Sequence, residues 1–301
     1  MITETNLSHL DNEPIKVNKK KPPRSENKEL PPLFFTSLFA GAKGSGKTYS
    51  LVKLLKFYED YKILDADNNP RIMRTILFCP TAQSVANPIY TTLKSLDESD
   101  IHTDYSDELL ENILSQLKDE YEKINNYNLY VKAYYKYIKD YKKLKEDDLE
   151  ILNLYNFEKP NRIPQPPFKY PRIIFMIFDD LIGDASAFKK NKGNILNKLV
   201  ITHRHLQCNL LFTTQYIKAI PPVIRANTDI FVLFKFASKK LVIDKIYPEL
   251  SGIITEEEFI ELYDYATQDP NSSLISINHA MDRNGNGFRM NWSIKLKIGN
   301  K

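Results

Sequence analysis

The apolar positions in this chain fall in short dense runs. Leu33 to Ala40 (LFFTSLFA) is almost continuously apolar, the pattern of a strand buried on both faces, and it ends in a glycine cluster. Thr48 to Tyr58 then places apolar residues at helical spacing, so the segment reads strand, loop, helix. Arg74 to Cys79, closed by Pro80, repeats the strand pattern, as do Arg172 to Phe178, Asn209 to Thr214 and Ile230 to Phe236. Asn194 to His205 repeats the helical one. Strands alternating with helices predict an α/β fold, a mostly parallel sheet with helices on both faces.

Between the second and third strands the period changes. Leu109, Leu110, Ile113, Leu117, Tyr121 and Ile124 share one helical face, and Tyr127, Tyr130, Tyr134, Tyr137 or Ile138, Tyr141 and Leu144 form a second stripe. Two helices with a short connection predict an antiparallel helical insertion over about 97–160, with the tyrosines as a packing face. Leu274 to Asn278 and Phe288 to Ile298 flank DRNGNG, which predicts a C-terminal β-hairpin. Residues 1–32, with three consecutive lysines and paired prolines, read as a flexible arm. The predicted organisation is therefore an arm, a core over 33–240 carrying the insertion, and an extension over 241–301.

Composition narrows the function classes. Of 301 residues 42% are hydrophobic and 27% charged, which excludes a wholly disordered or fibrous chain. No apolar run reaches the length of a membrane span and the N-terminus is polar, so the expectation is an intracellular protein with no membrane span. Cys79 and Cys208 lie among apolar residues and read as core thiols. His203 and His205 have no further ligand at metal spacing. The net charge of +4 is uneven: Asp97 to Pro160 holds sixteen acids and nine lysines, leaving +11 on the rest, which suits a polyanionic partner there.

Candidate chemistry sits at the strand ends. Gly41-Ala42-Lys43-Gly44-Ser45-Gly46-Lys47-Thr48 satisfies G-x-x-x-x-G-K-[ST] between a predicted strand and a predicted helix. Glycines let backbone N–H groups turn inward around a polyphosphate, the helix start adds its positive end, Lys47 supplies charge to the β and γ phosphates, and Thr48 offers a hydroxyl to Mg²⁺. The strand IIFMIFDD ends in Asp179, placed to hold hydrated Mg²⁺, and Asp180, placed to polarise an attacking water. Asp180 is shorter than the Glu found there in many ATPases. LLFTTQ ends in Gln215, whose amide can bond both γ phosphate and water.

This ordered set resembles the FtsK–HerA superfamily of P-loop motor ATPases, most closely the poxvirus-type DNA-packaging ATPases of large DNA viruses. GAKGSGKT, IIFMIFDD and the block THRHLQCNLLFTTQYIKAIPPVIRANTDIFVLF at 202–234 carry the likeness, which spans about 36–240 without the insertion. It implies a RecA/FtsK-like P-loop NTPase core that hydrolyses ATP with Mg²⁺ to translocate double-stranded DNA into a capsid. It also implies a hexameric or pentameric homo-oligomeric ring, a capsid or portal-vertex partner, and a place in the host cytoplasm, viral factory or virion. Arg204 occupies the family's position for an arginine that reaches a neighbour's γ phosphate; Arg225 competes for that role, in cis or as a DNA contact. Lys189, Lys190 and Lys192 form a basic loop suited to lining a pore or simply solvated. Two other functions share these features: a nucleotide or polynucleotide kinase, and a nucleotide-gated assembly protein with little turnover.

Overall fold

A computed structural model describes residues 22–80, 88–181, 194–278 and 287–297. In chain order its elements are β1 (Arg24–Ser25), β2 (Thr36–Ala40), α1 (Lys47–Asp60), β3 (Ile63–Leu64), β4 (Pro70–Arg71), β5 (Met73–Phe78), β6 (Leu96–His102), α2 (Asp107–Lys139), α3 (Glu146–Leu154) and β7 (Ile173–Phe178). They continue with α4 (Ile195–Thr202), β8 (Cys208–Thr214), α5 (Pro222–Ala226), β9 (Ile230–Phe234), α6 (Lys239–Lys245), α7 (Tyr247–Leu250), α8 (Glu256–Ala266), β10 (Ser273–Ile277), β11 (Phe288–Met290) and β12 (Ile294–Lys295).

Among the described residues nine strands form one sheet in the order β12-β11-β10-β9-β2-β8-β7-β5-β6. Every pairing from β9 to β6 is parallel, and β10, β11 and β12 add antiparallel at one edge. The apolar runs are continuous because both faces are covered. Ile174, Met176 and Phe178 of β7 pack into one core with Leu110, Ile113 and Leu117 of α2, Leu196 and Leu199 of α4 and Phe259 of α8. Ile173, Phe175 and Ile177 pack into the other with Leu51 and Leu55 of α1. Phe78, Phe178 and Phe212 stack across three neighbouring strands at 5.1 and 4.9 Å between ring centroids. Cys79 and Cys208 are buried and not joined to each other.

The insertion is antiparallel and helical, but its turn does not fall between the two stripes. α2 is a single helix of 33 residues, about 50 Å long, with Ser106 Oγ accepting from Leu109 N at its start. The expected break near Asn125-Asn126 does not occur. Asparagine costs a helix only tenths of a kcal/mol, and neither glycine nor proline stands there. The chain turns at Asp140–Lys145, and α3 packs back on the distal half of α2 through Tyr130, Ala133, Tyr134 and Leu152. Residues 96–102, whose polar sequence places them with the insertion, form the parallel edge strand β6, pinned by the paired Arg74 and Asp100 at 2.7 Å. Removing residues 128–158 with a short glycine-serine bridge should therefore leave a folded chain with parental nucleotide affinity, since this distal half shares no core with the sheet. Removing all of 97–160 would take away Leu110, Ile113 and Leu117 and should abolish folding. Circular dichroism and nucleotide titration of both deletions check this.

Two further expectations need correction. Residues 22–32 are not a loose arm: β1 pairs with β3, Tyr58 Oη donates to Pro31 O, and Arg289 Nη1 donates to Glu29 O at 2.7 Å. The second arm of the C-terminal hairpin is not one strand either. β11 pairs antiparallel with β10, then the chain turns at Asn291–Ser293 and β12 folds back on β11. Asn291 takes the left-handed conformation that this turn needs, with φ 52°. Most of the DRNGNG turn lies outside the described residues, as does the whole stretch 1–21.

Candidate functional site

The loop between β2 and α1 is held at the C-terminal edge of the parallel strands. Gly41 N donates to Thr214 O at 3.1 Å, which ties the loop to the end of β8. Gly41 must lack a side chain, because a Cβ there would lie 2.5 Å from Phe234 Cβ and 2.6 Å from Ser45 Oγ. Gly44 and Gly46 have φ of 77° and 92°, and Gly46 caps α1 without a side-chain bond, so the first N–H groups of that helix remain for a ligand. Lys47 is almost fully buried, and its Nζ donates to Gly41 O at 3.0 Å and Ala42 O at 2.8 Å. Burial holds its ammonium below the ordinary lysine value, while Asp180 and Asp179 pull it back up. Ser45 Oγ is buried with no hydrogen-bond partner among the described residues. A partnerless hydroxyl beside an uncapped helix start and a buried ammonium fits a phosphate chain. Ala42 and Lys43 are exposed at the loop's lip.

The acid pair follows β7, and β8 lies between β7 and β2. That order places Gln215, next after β8, centrally between the loop and the acids. Its Nε2 donates to Asp180 Oδ2 at 2.5 Å. Thr213 ties the pair together: its hydroxyl donates to Asp179 Oδ1 at 2.5 Å and accepts from Asp180 N at 3.0 Å. Asp179 is 5% exposed and its Oδ2 also accepts from Tyr90 Oη at 2.7 Å. The Thr48 side chain stands beside the same phenol. Burial, then the Asp179 carboxylate, pushes the Tyr90 phenol well above its ordinary value, so it stays a donor. A hydroxyl at Thr48 and a fixed carboxylate at Asp179 are hard oxygen donors that fit Mg²⁺. Among the described residues no cluster of three or more His, Cys, Asp or Glu could hold a metal.

Tyr90 and Thr213 join the site without being singled out by the sequence. Tyr90 sits outside any recognisable motif, after β5, and only the placement of β5 beside β7 brings it to Asp179. Thr213 stands just before Thr214-Gln215, where the sequence pattern marks it only as part of a strand.

The two arginines separate. Arg204 lies in the turn before β8, at the opposite edge of the sheet from the P-loop. Its Nη2 is 3.2 Å from Asp229 Oδ1, and Asp229 Oδ2 accepts from Thr36 N at 2.9 Å. Burial pushes the Asp229 carboxyl up, against the pull of Thr36 N–H and Arg204. The length of β8, about 20 Å, keeps Arg204 from its own P-loop. Its side chain is 60% exposed, open to a neighbouring molecule. Arg225 is engaged in packing: Nη1 donates to Ile220 O at 2.5 Å, and Nε is 3.9 Å from Glu249 of α7. His203 is buried with both ring nitrogens on backbone carbonyls, a packing role. Lys189, Lys190 and Lys192 lie outside the described residues.

No family model and no curated protein matches the chain. Among solved structures, the genome packaging NTPase B204 from Sulfolobus turreted icosahedral virus 2, in complex with ATP-gammaS, aligns at a TM-score of 0.42 and 12% identity. The alignment covers 90% of this chain and 100% of B204. ATPases 2 and 3 of EssC from Geobacillus thermodenitrificans align at 0.44 and 15%, over 81% of this chain and 37% of that one. The pCW3 conjugation coupling protein TcpA with ATPgS aligns at 0.40 and 16%, over 84% and 58%. Likenesses at these scores carry no argument about function, which rests on this chain's own residues.

Proposed function

We propose that this chain is a P-loop ATPase of the FtsK–HerA type that hydrolyses ATP with Mg²⁺ and couples turnover to movement of double-stranded DNA. Packaging a viral genome into a capsid is its task, in a homo-oligomeric ring inside the host cell. The observation that carries the hydrolytic part is the contact of Gln215 Nε2 with Asp180 Oδ2, one strand away from the P-loop. An amide donor and a carboxylate acceptor held together can orient one water between them and a γ phosphate. Asp180 accepts the proton as the water oxygen bonds to the γ phosphorus, and the bond from that phosphorus to the β–γ bridging oxygen breaks, releasing ADP. Lys47 exchanges its two loop carbonyls for phosphate oxygens, and Thr213 and Tyr90 keep Asp179 oriented. Thr48 and Asp179 would hold Mg²⁺, which when bound would supply positive charge to the phosphate chain. The DNA part is supported by the resemblance of the 202–234 block and by the basic balance outside the insertion.

Phosphate release measured with and without duplex DNA tests the proposal. Turnover that rises with DNA is expected. Release indifferent to DNA would leave an ATPase without this coupling, and transfer of the phosphoryl group to a nucleotide or DNA end would make the chain a kinase. Tight ATP binding without release would make it a nucleotide-gated assembly protein.

Duplex affinity should fall steeply with salt and show no sequence preference. Replacing Lys189, Lys190 and Lys192 together by alanine should reduce the slope of log affinity against log salt by about 2.7, at about 0.9 for each phosphate that is no longer neutralised. Fluorescence anisotropy over a salt series measures it, and an unchanged slope would remove that loop from the DNA path.

A further inference from the structure

A cavity of about 420 Å³ opens beside the P-loop and is lined by Gly46, Tyr49, Phe234, Asn271, Trp292 and Ser293, among others. Its volume falls within the range of about 300–1,000 Å³ typical of small-molecule sites. Its place in the sheet order gives it meaning. Thr48, Asp179, Asp180 and Gln215 gather where β8 and β7 end, on one flank of β2. The cavity lies on the other flank, where β9 ends and the antiparallel edge begins. A triphosphate crossing the end of β2 with its γ group toward the acids therefore directs its α group, and whatever is attached, toward this cavity.

The walls are fixed before any ligand arrives. Phe234 packs against the loop, lying 3.6 Å from where a Cβ at Gly46 would sit, so loop and cavity share one side chain. Trp292 is 8% exposed and locked by its Nε1 donating to Ser50 O and Ser50 Oγ, each at 3.0 Å, with its ring tilted on Phe39 at 6.3 Å. Tyr49, in the first turn of α1, is exposed, leaving its ring face for a flat partner. Asn271 and Ser293 add polar edges.

Resting on the P-loop reading, we propose that this cavity is the nucleoside subsite, with the base stacked on Tyr49 and enclosed by the Asn291–Ser293 turn. The C-terminal hairpin is thereby part of the nucleotide site, a role its sequence did not signal. The probes are ATPγS and inorganic tripolyphosphate, titrated calorimetrically into the full chain. Tyr49→Ala removes an exposed ring, and Ser293→Trp fills the cavity from an exposed turn. Each should weaken ATPγS about tenfold or more while leaving tripolyphosphate affinity unchanged, because stacking belongs to the base alone. Parental ATPγS affinity in both variants would overturn the subsite, as would equal losses for both probes. If the parental chain binds neither probe, the P-loop reading itself fails, which is a different result.

Discussion

Lys47→Ala is expected to lower ATP turnover by at least about 10²–10³-fold in a chain that remains folded, the range seen when one preorganised donor to a developing charge is removed. The ammonium is buried beside the loop. Its partners are two carbonyls of the loop itself, Gly41 O and Ala42 O. Its truncation therefore removes a charge bound to the loop and no hydrogen bond to the sheet. Phosphate release and the melting temperature should be measured together. A folded variant with parental turnover would overturn the assignment of the loop. A variant that loses turnover and several degrees of melting temperature would show instead that the Lys47 contacts hold the loop closed.

The second large effect belongs to Arg204. Arg204→Ala should bind ATP nearly as the parent does, lose about 10³–10⁵-fold in turnover, and recover part of it when mixed with Lys47→Ala subunits. The geometry excludes a cis role within the chain, because Arg204 and the P-loop stand at opposite ends of the same strands. A ring that joins one subunit's Arg204 edge to the next subunit's P-loop edge would make every site composite, and the mixture would then contain sites with both parts intact. The variant also removes a partner from Asp229, a mostly buried carboxylate, so its melting temperature must accompany the kinetics. No recovery in demonstrably mixed rings would end the trans assignment. Arg225 is a weaker replacement, with its guanidinium engaged by Ile220 and Glu249.

Much of this site is legible in the sequence because its chemistry is concentrated at strand ends. Gly41 to Thr48, Asp179-Asp180 and Gln215 each follow a run apolar enough to read as a central strand, and a parallel sheet brings such ends to one edge. Residues whose roles depend on how the strands are ordered are not legible. Tyr90 reaches Asp179 only because β5 lies next to β7, and Trp292 reaches Ser50 only because the hairpin joins the sheet beside β9. β6 is hidden by its composition: Leu96–His102 is LDESDIH, and only an edge strand with water on one side tolerates so many carboxylates. In α2 the first stripe gives its face correctly, whereas of the second only Tyr130 and Tyr134 are buried and Tyr137 and Tyr141 are exposed. The offset between the stripes mimics a break where the helix in fact runs on and changes partners, from the sheet to α3.

Asp180 carries a backbone φ of 52°, in the left-handed region that asparagine, aspartate and glycine enter far more readily than longer residues do. The length of the acid is thus tied to the path of the chain. Lengthening it to the glutamate common elsewhere would trade reach for strain at the turn that leaves β7. Asparagine suits the same conformation and keeps an oxygen for the Gln215 amide, so Asp180→Asn deletes proton-accepting ability while leaving the turn at rest. Of the two conservative exchanges at this position, only the isosteric amide separates chemistry from conformation.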